Sequence, residues 1–165
     1  MTTTIKVDRL GEVLKRIKDL AKNQVLVGVP DSNAARRDEG EAISNAEIGY
    51  INEFGAPEAN IPARQHLIPG VQEALPEVTK RLKAGAAKAM AGDKKAGDTA
   101  LHAVGLAAQN AVRTKIDNGP FAALADTTIA DRVARGRTGQ KPLIDTGQYR
   151  NSITYVTRPR GQKGS

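Results

Sequence analysis

Apolar positions recur along the chain at two spacings, and the changes between them divide it into elements. Val7, Leu10, Leu14, Ile17 and Leu20 fall three or four apart, with Lys15, Arg16, Lys18 and Asp19 mostly off the stripe, which predicts an amphipathic helix. The spacing then drops to two. Val25, Val27 and Val29 share one face of a predicted strand over 24–29, ended by Pro30 and Asp31. The polar run DSNAARRDEGEA, residues 31–42, predicts a loop or the tip of a long hairpin, with room for a third strand. Next comes a short helix with both ends marked. Ser44 and Glu47 stand at capping-box spacing, and Ile43 and Ile48 at that of a hydrophobic staple. Ile48, Ile51 and Phe54 form its apolar stripe, and Gly55, with Pro57 just beyond, is placed for a left-handed end. Residues 56–62 cannot be helical throughout, because Pro57 and Pro62 each disfavour helix at the residue before them.

Two long helical patterns follow. Pro69 can start the first, and Leu75, Val78, Leu82, Ala86 and Ala89 mark its apolar side. Pro76 lies inside that pattern, so it either kinks the helix or forms its true first turn. The run AGDKKAGD at 91–98 interrupts. The second pattern carries Leu101, Val104, Ala108, Ala111 and Val112 and ends at Asn118 and Gly119. Many small residues in both permit close approach of the two helices. After a link at 120–125, Asp126 or Thr127 caps a short helix bearing Ile129 and Val133, which Gly136 stops. The run GRTGQKP is a loop, and Asp145 caps a last turn of helix. Alternation over 153–157 predicts a strand with Ile153 and Tyr155 on one face and Val156 on the other. The end, RPRGQKGS, reads as a basic disordered tail over 158–165.

Strands near both ends with helices between them predict one α+β domain over 1–157. Its small antiparallel sheet packs with two long Ala-rich helices and several short ones.

Composition alters this picture in one respect. The chain has no Trp, two Phe and three Tyr, so its core must rest on Leu, Ile, Val and Ala. Alanine buries little area and stabilises little. Part of the apolar surface is therefore expected to be completed by neighbouring subunits. The absence of Cys removes disulfides, thiolate metal sites and thiol nucleophiles. The start, MTTTIKVDRL, has no apolar signal region, and no apolar run approaches the roughly 20 residues that span a bilayer.

Charge is unevenly placed. The net charge is +7, yet residues 31–60 hold seven carboxylates against two arginines, while 126–165 hold eight basic residues against three acidic. A solvated basic surface with an acidic loop is the plain interpretation. The sharper one sets the acidic block of one copy against a basic block of the next, a head-to-tail contact that closes into a ring where the rotation allows.

Catalytic chemistry is sparse. His66, in a link beside Arg64, and His102, inside a helix, are the only histidines. Neither has a partner at zinc spacing, and no nucleophile elbow occurs. Asp126, Asp131 and Asp145 could pair for acid–base work, but helix capping suffices to explain two of them. Gly136, Gly139 and Lys141 fall short of a phosphate loop, because Pro142 follows the lysine and no buried strand precedes. No cofactor or metal is expected. Arg132, Arg135, Arg137 and Lys141 are candidates to face DNA or a partner, together with Arg150, Arg158, Arg160 and Lys163. Such residues hold phosphates without sequence preference. Aromatics for base stacking are few and no helix-turn-helix signature appears, so specific readout is not expected.

Three segments carry a family resemblance: INEFGAPEANIPARQHLIP, PFAALADTTIADRVARG and KPLIDTGQYRNSITYV. The chain resembles the phage virion-morphogenesis and tail-completion proteins, the HK97 gp10-like group and the related Mu-type G protein. That group has an Asn-Glu-Phe-Gly turn, here Asn52, Glu53, Phe54 and Gly55, leading to an Ile-Pro-x-Arg segment, here Ile61, Pro62 and Arg64. A Leu-to-Arg piece, here 124–132, precedes Leu-x-Asp-Thr-Gly, here Leu143, Asp145, Thr146 and Gly147. The match covers roughly 60 residues of a chain of one domain's length. Gln65 and His66 stand where the group usually has Pro-Phe, and Phe121 and Ala122 where a Trp is common.

The resemblance implies a non-enzymatic structural protein of the virion neck or head-proximal tail end. It would act in tail completion or head–tail joining, as a hexameric or dodecameric ring of itself through which DNA passes. Implied partners are neighbouring phage proteins: connector or adaptor, tail terminator or tail tube. Implied locations are the virion and, during assembly, the host cytoplasm. No membrane is involved. The alternative function is a non-specific nucleic-acid-binding packaging or assembly accessory.

Overall fold

The computed structural model describes residues 10–30 and 43–161. Helix α1 (Leu10–Lys22) runs directly into strand β1 (Asn23–Gly28). Helix α2 (Asn45–Phe54) and a 3-10 turn (Pro57–Ala59) lead to two long helices, α3 (Leu67–Met90) and α4 (Ala96–Asn118). Two short helices, α5 (Asp126–Ala134) and α6 (Gln148–Ser152), precede strand β2 (Thr154–Pro159). The two strands pair antiparallel, with Val25 opposite Thr157 and Val27 opposite Tyr155. This is the α+β architecture that the apolar pattern predicts. Val7, the 31–42 loop with its possible third strand, and residues 162–165 of the tail lie outside the described residues.

Helices α3 and α4 form a hairpin, and α4 also lies against both strands. Small residues make the close contact. Ala74, Gly85 and Ala89 of α3 are buried, as are Ala96, Ala100, Gly105 and Ala108 of α4. A Cβ added at Gly70 would stand 2.7 Å from the Val112 Cα, so backbone meets backbone there with no room for a side chain. Larger residues gather at the far end of α4, where Val112, Ile116, Leu143, Tyr149 and Ile153 form the main apolar core. Val27, Val29, Ile48 and Leu67 pack around it. Arg16 ties α1 to the end of the hairpin by donating to the Ala89 carbonyl at 3.1 Å, one of the acceptors that a helix C-terminus leaves open.

Several expectations need correction. The buried face of α2 is Asn45, Gly49 and Glu53, not the Ile48, Ile51, Phe54 stripe; Phe54 is exposed and the two isoleucines are half-buried. Helix α3 begins at Leu67, so Pro76 lies in its interior and does not form its first turn. Pro76 and Gln72 are both exposed, which lets water serve the carbonyl that proline leaves without a donor. The buried side of α3 is its glycine and alanine seam, while Leu75 and Leu82 face outward.

Neither Asp126 nor Thr127 caps α5: its N-cap is Ala125, with Asp126 as the first helical residue. The N-cap of α6 is Gly147, at φ 82°, not Asp145. Strand β2 runs on through Arg158 and Pro159, beyond the expected start of the tail at 158. The capping box of α2 forms as expected: Ser44 Oγ accepts from the Glu47 N–H at 3.3 Å, and the Glu47 carboxylate accepts from the Ser44 N–H at 2.7 Å.

Candidate functional site

The three segments singled out in the sequence meet around one groove of about 860 Å³, bordered by Ile48, Asn52, Ile61, Arg64, Arg132 and Asp145 among others. Their polar groups hold backbone. Near the end of α2, Asn52 donates from Nδ2 to the Ile48 carbonyl at 2.8 Å, and its own carbonyl accepts the Arg64 N–H at 2.6 Å. Gly55 turns the chain at φ 77°, ψ 174°, a positive-φ region outside the left-handed helical well. A Cβ there would stand 2.9 Å from the Ala63 nitrogen, so glycine is required twice over, by backbone angle and by space. Ile61 closes the turn as a β-bridge to Ala56, with Pro62 exposed beyond it.

Arg64 is buried, and its guanidinium forks onto the link before α5. Nε donates to the Ala122 carbonyl and Nη2 to the Ala123 carbonyl, each at 2.8 Å. Desolvation, and then the charge of Arg132, lower its pKa from the usual arginine value. Arg132 gathers the 136–145 loop in the same way, donating from Nη1 to the carbonyls of Gly139 at 2.8 Å, Lys141 at 3.1 Å and Ile144 at 3.0 Å. Asp145 lies 3.4 Å from Arg132 Nε and accepts from Arg137 at 2.6 Å. Thr146 Oγ1 accepts the Gln148 N–H at 3.2 Å, and Gly147 supplies the left-handed residue that starts α6. Of the four basic residues proposed to face DNA or a partner, Arg132 and Arg137 are thus turned onto the chain itself, whereas Arg135 and Lys141 are exposed.

Sequence reasoning missed the buried centre beneath the groove. Glu53, on α2, caps α3 from outside that helix: Oε2 accepts the N–H groups of His66 and Leu67 at 2.9 Å each, and Oε1 accepts that of Ile68 at 3.0 Å. The carboxylate thus meets three of the donors that a helix N-terminus leaves open, where the helix dipole also favours negative charge.

His66 is fully buried. Its Nδ1 lies 2.8 Å from the Arg64 carbonyl, which can only accept, so Nδ1 carries the proton. In the neutral ring Nε2 then accepts from the Tyr149 hydroxyl. Burial lowers the His66 pKa from 6.5, against the opposing effects of the Arg64 carbonyl and Glu53. Burial, and secondarily Glu53, raise that of the Tyr149 phenol. No local signal marks this cluster, because Glu53 and Tyr149 reach His66 across 13 and 83 residues of chain.

The arrangement is suited to holding loops. His66 has both ring nitrogens engaged and no water access, and Asp145 is held by arginines. Among the described residues no group of three or more His, Asp or Glu could hold a metal ion. No described helix is long and apolar enough to cross a membrane. Comparison with family models, curated proteins and solved structures finds no match.

Proposed function

We propose that the chain is a structural assembly subunit of a phage particle, acting in tail completion or head–tail joining as a ring of identical copies. One observation carries this reading. The segments on which the resemblance rests, with Arg64 reaching residues 58 and 59 positions away, converge on one groove and spend most of their polar groups on backbone N–H and carbonyl groups. That use suits motifs kept for shape, and it accounts for them without an active site. Large apolar side chains left on the surface of α1, α2 and α3 suit a subunit completed by its neighbours.

Light scattering of the purified chain, with negative-stain images of it and of the particles, tests the proposal. Rings of six or twelve copies, and the chain's presence at the neck or tail end, are the expected result. A strict monomer absent from purified particles overturns it.

The alternative, non-specific nucleic-acid binding, draws on the pI of about 9.8 and the exposed Arg135 and Lys141. It loses support from Arg132, whose guanidinium holds loop carbonyls, and from Arg137, which pairs with Asp145. Salt-titrated binding to duplex DNA separates the two, since phosphate-driven affinity is strongest at low ionic strength.

A further inference from the structure

Two exposed patches of this chain are apolar at their centres and opposite in the charge of their surroundings. Helix α3 leaves Ile68, Leu75 and Leu82 exposed by 49%, 51% and 37%, seven residues apart. Gln72, Thr79 and Ala86 alternate with them at three- and four-residue spacing, and none of the six is charged. The three large residues recur at a single heptad position, on a helix that already buries its glycine and alanine face elsewhere. The stripe from Ile68 to Leu82 is about 21 Å long at 1.5 Å per residue, and knobs from a helix are what such a row accepts. Exposed Lys80, Lys83 and Lys88 make the C-terminal half of α3 basic, while its two acids are taken, Glu73 by Lys115 and Glu77 by Arg81.

Helix α2 presents the counterpart. Tyr50 and Phe54, four residues apart, are 67% and 56% exposed with ring centroids 4.9 Å apart. Two of the five aromatic residues of the chain thus stand together in water. No Lys or Arg occurs between 43 and 60, and Glu47 and Glu58 are exposed in that stretch.

We propose that the Tyr50–Phe54 knob of one copy seats on the Ile68–Leu75–Leu82 stripe of another. The acidic surroundings of α2 would then lie near Lys83, the lysine that flanks the stripe beside Leu82. Because the two patches differ, the contact is of the head-to-tail kind that builds rings. The inference rests on the ring reading above and assigns its surfaces.

The test uses the full chain in two exposed-site variants, Tyr50→Gln/Phe54→Gln and Leu75→Gln/Leu82→Gln. Circular dichroism and thermal melts confirm that each is folded, and sedimentation and light scattering follow assembly across concentration. Each variant is expected to raise the apparent dissociation constant of assembly at least tenfold. An equimolar mixture is expected to recover a two-chain complex, since one intact knob and one intact stripe remain between the two variants. Lys83→Glu, which spares the apolar residues, is expected to weaken assembly, as is added salt. Should both double variants assemble as the parent does, the surfaces assigned here are wrong while the ring reading stands. Loss of assembly in the α3 variant alone would mean that stripe meets stripe, and overturns the pairing. A parent chain that stays monomeric overturns both readings.

Discussion

At the scale of single residues, the fold depends on a few polar side chains that hold backbone from a distance. Glu53 is the clearest case, with three backbone donors at the head of α3 on one buried carboxylate. Glu53→Ala leaves those donors dry, and urea denaturation is expected to show a loss of about 3 kcal/mol. Glu53→Gln keeps one acceptor oxygen and is expected to cost about half as much.

His66 sets an acid sensitivity. Its pKa is lowered in the fold, so the unfolded chain takes up the proton first. Stability from this group is therefore complete above its unfolded value of 6.5 and falls as pH drops below it towards the folded value. Denaturation midpoints at pH 7.5 and 5.5 should differ in the parent, and His66→Gln should flatten that difference even if it lowers both midpoints. Stability from Asp117, held below the usual carboxylate range by its hydrogen bonds from Arg150, is present above 3.8 and is lost in a separate window as pH falls below that value.

At the scale of elements, the hairpin of α3 and α4 is governed by what is missing from its seam. Glycine in a helix interior costs about 1 kcal/mol relative to alanine. At Gly85, however, a Cβ would overlap that of Ala100 on the facing helix. Gly85→Ala is thus expected to destabilise by about 2 kcal/mol, because overpacking outweighs the propensity gain. Gly11, in α1, has nothing within 4 Å of such a Cβ. Gly11→Ala is expected to stabilise by about 0.5–1 kcal/mol. Paired thermal melts of the two variants check that the signs are opposite.

The same seam explains why the apolar stripe of α3 was misplaced. Leucine and valine weigh most in a periodicity argument, yet the residues that approach α4 are glycine and alanine, which carry almost no hydrophobic signal. The buried face of α2 hides for a related reason: Asn45 and Glu53 read as solvent-facing until the helix they serve is in place.

At the scale of the whole molecule, the described residues gather their main apolar core at one end of α4, with small residues, Leu101 and Val104 buried along the rest of that helix. Large apolar side chains are left outside on several helices, among them Leu14 and Ile17 of α1. If copies cover these faces, assembly adds to stability by mass action, and the melting temperature should rise with protein concentration. Scanning calorimetry over a hundredfold range of concentration checks this. Leu75→Gln/Leu82→Gln is expected to abolish the dependence while leaving a cooperative transition. A melting temperature independent of concentration in the parent would place the exposed apolar surface outside any self-contact.

The α+β class, the capping box of α2 and the position of its end, both strands and the end of α4 were legible in the linear order of residues. Each depends on interactions within a few positions, where side-chain spacing and backbone preference act directly. The convergence of Asn52, Arg64, Arg132 and Asp145 on one groove was not legible, because nothing local to Arg64 points to carbonyls 58 and 59 residues away. The Glu53–His66–Tyr149 centre, the engagement of Arg132 and Arg137 by the chain itself, and the outward turn of Leu75, Leu82 and Phe54 were decided by the tertiary structure alone. A buried hydrogen bond or a burial choice depends on what the rest of the chain brings within 3 Å, and that is set by packing among residues far apart in sequence.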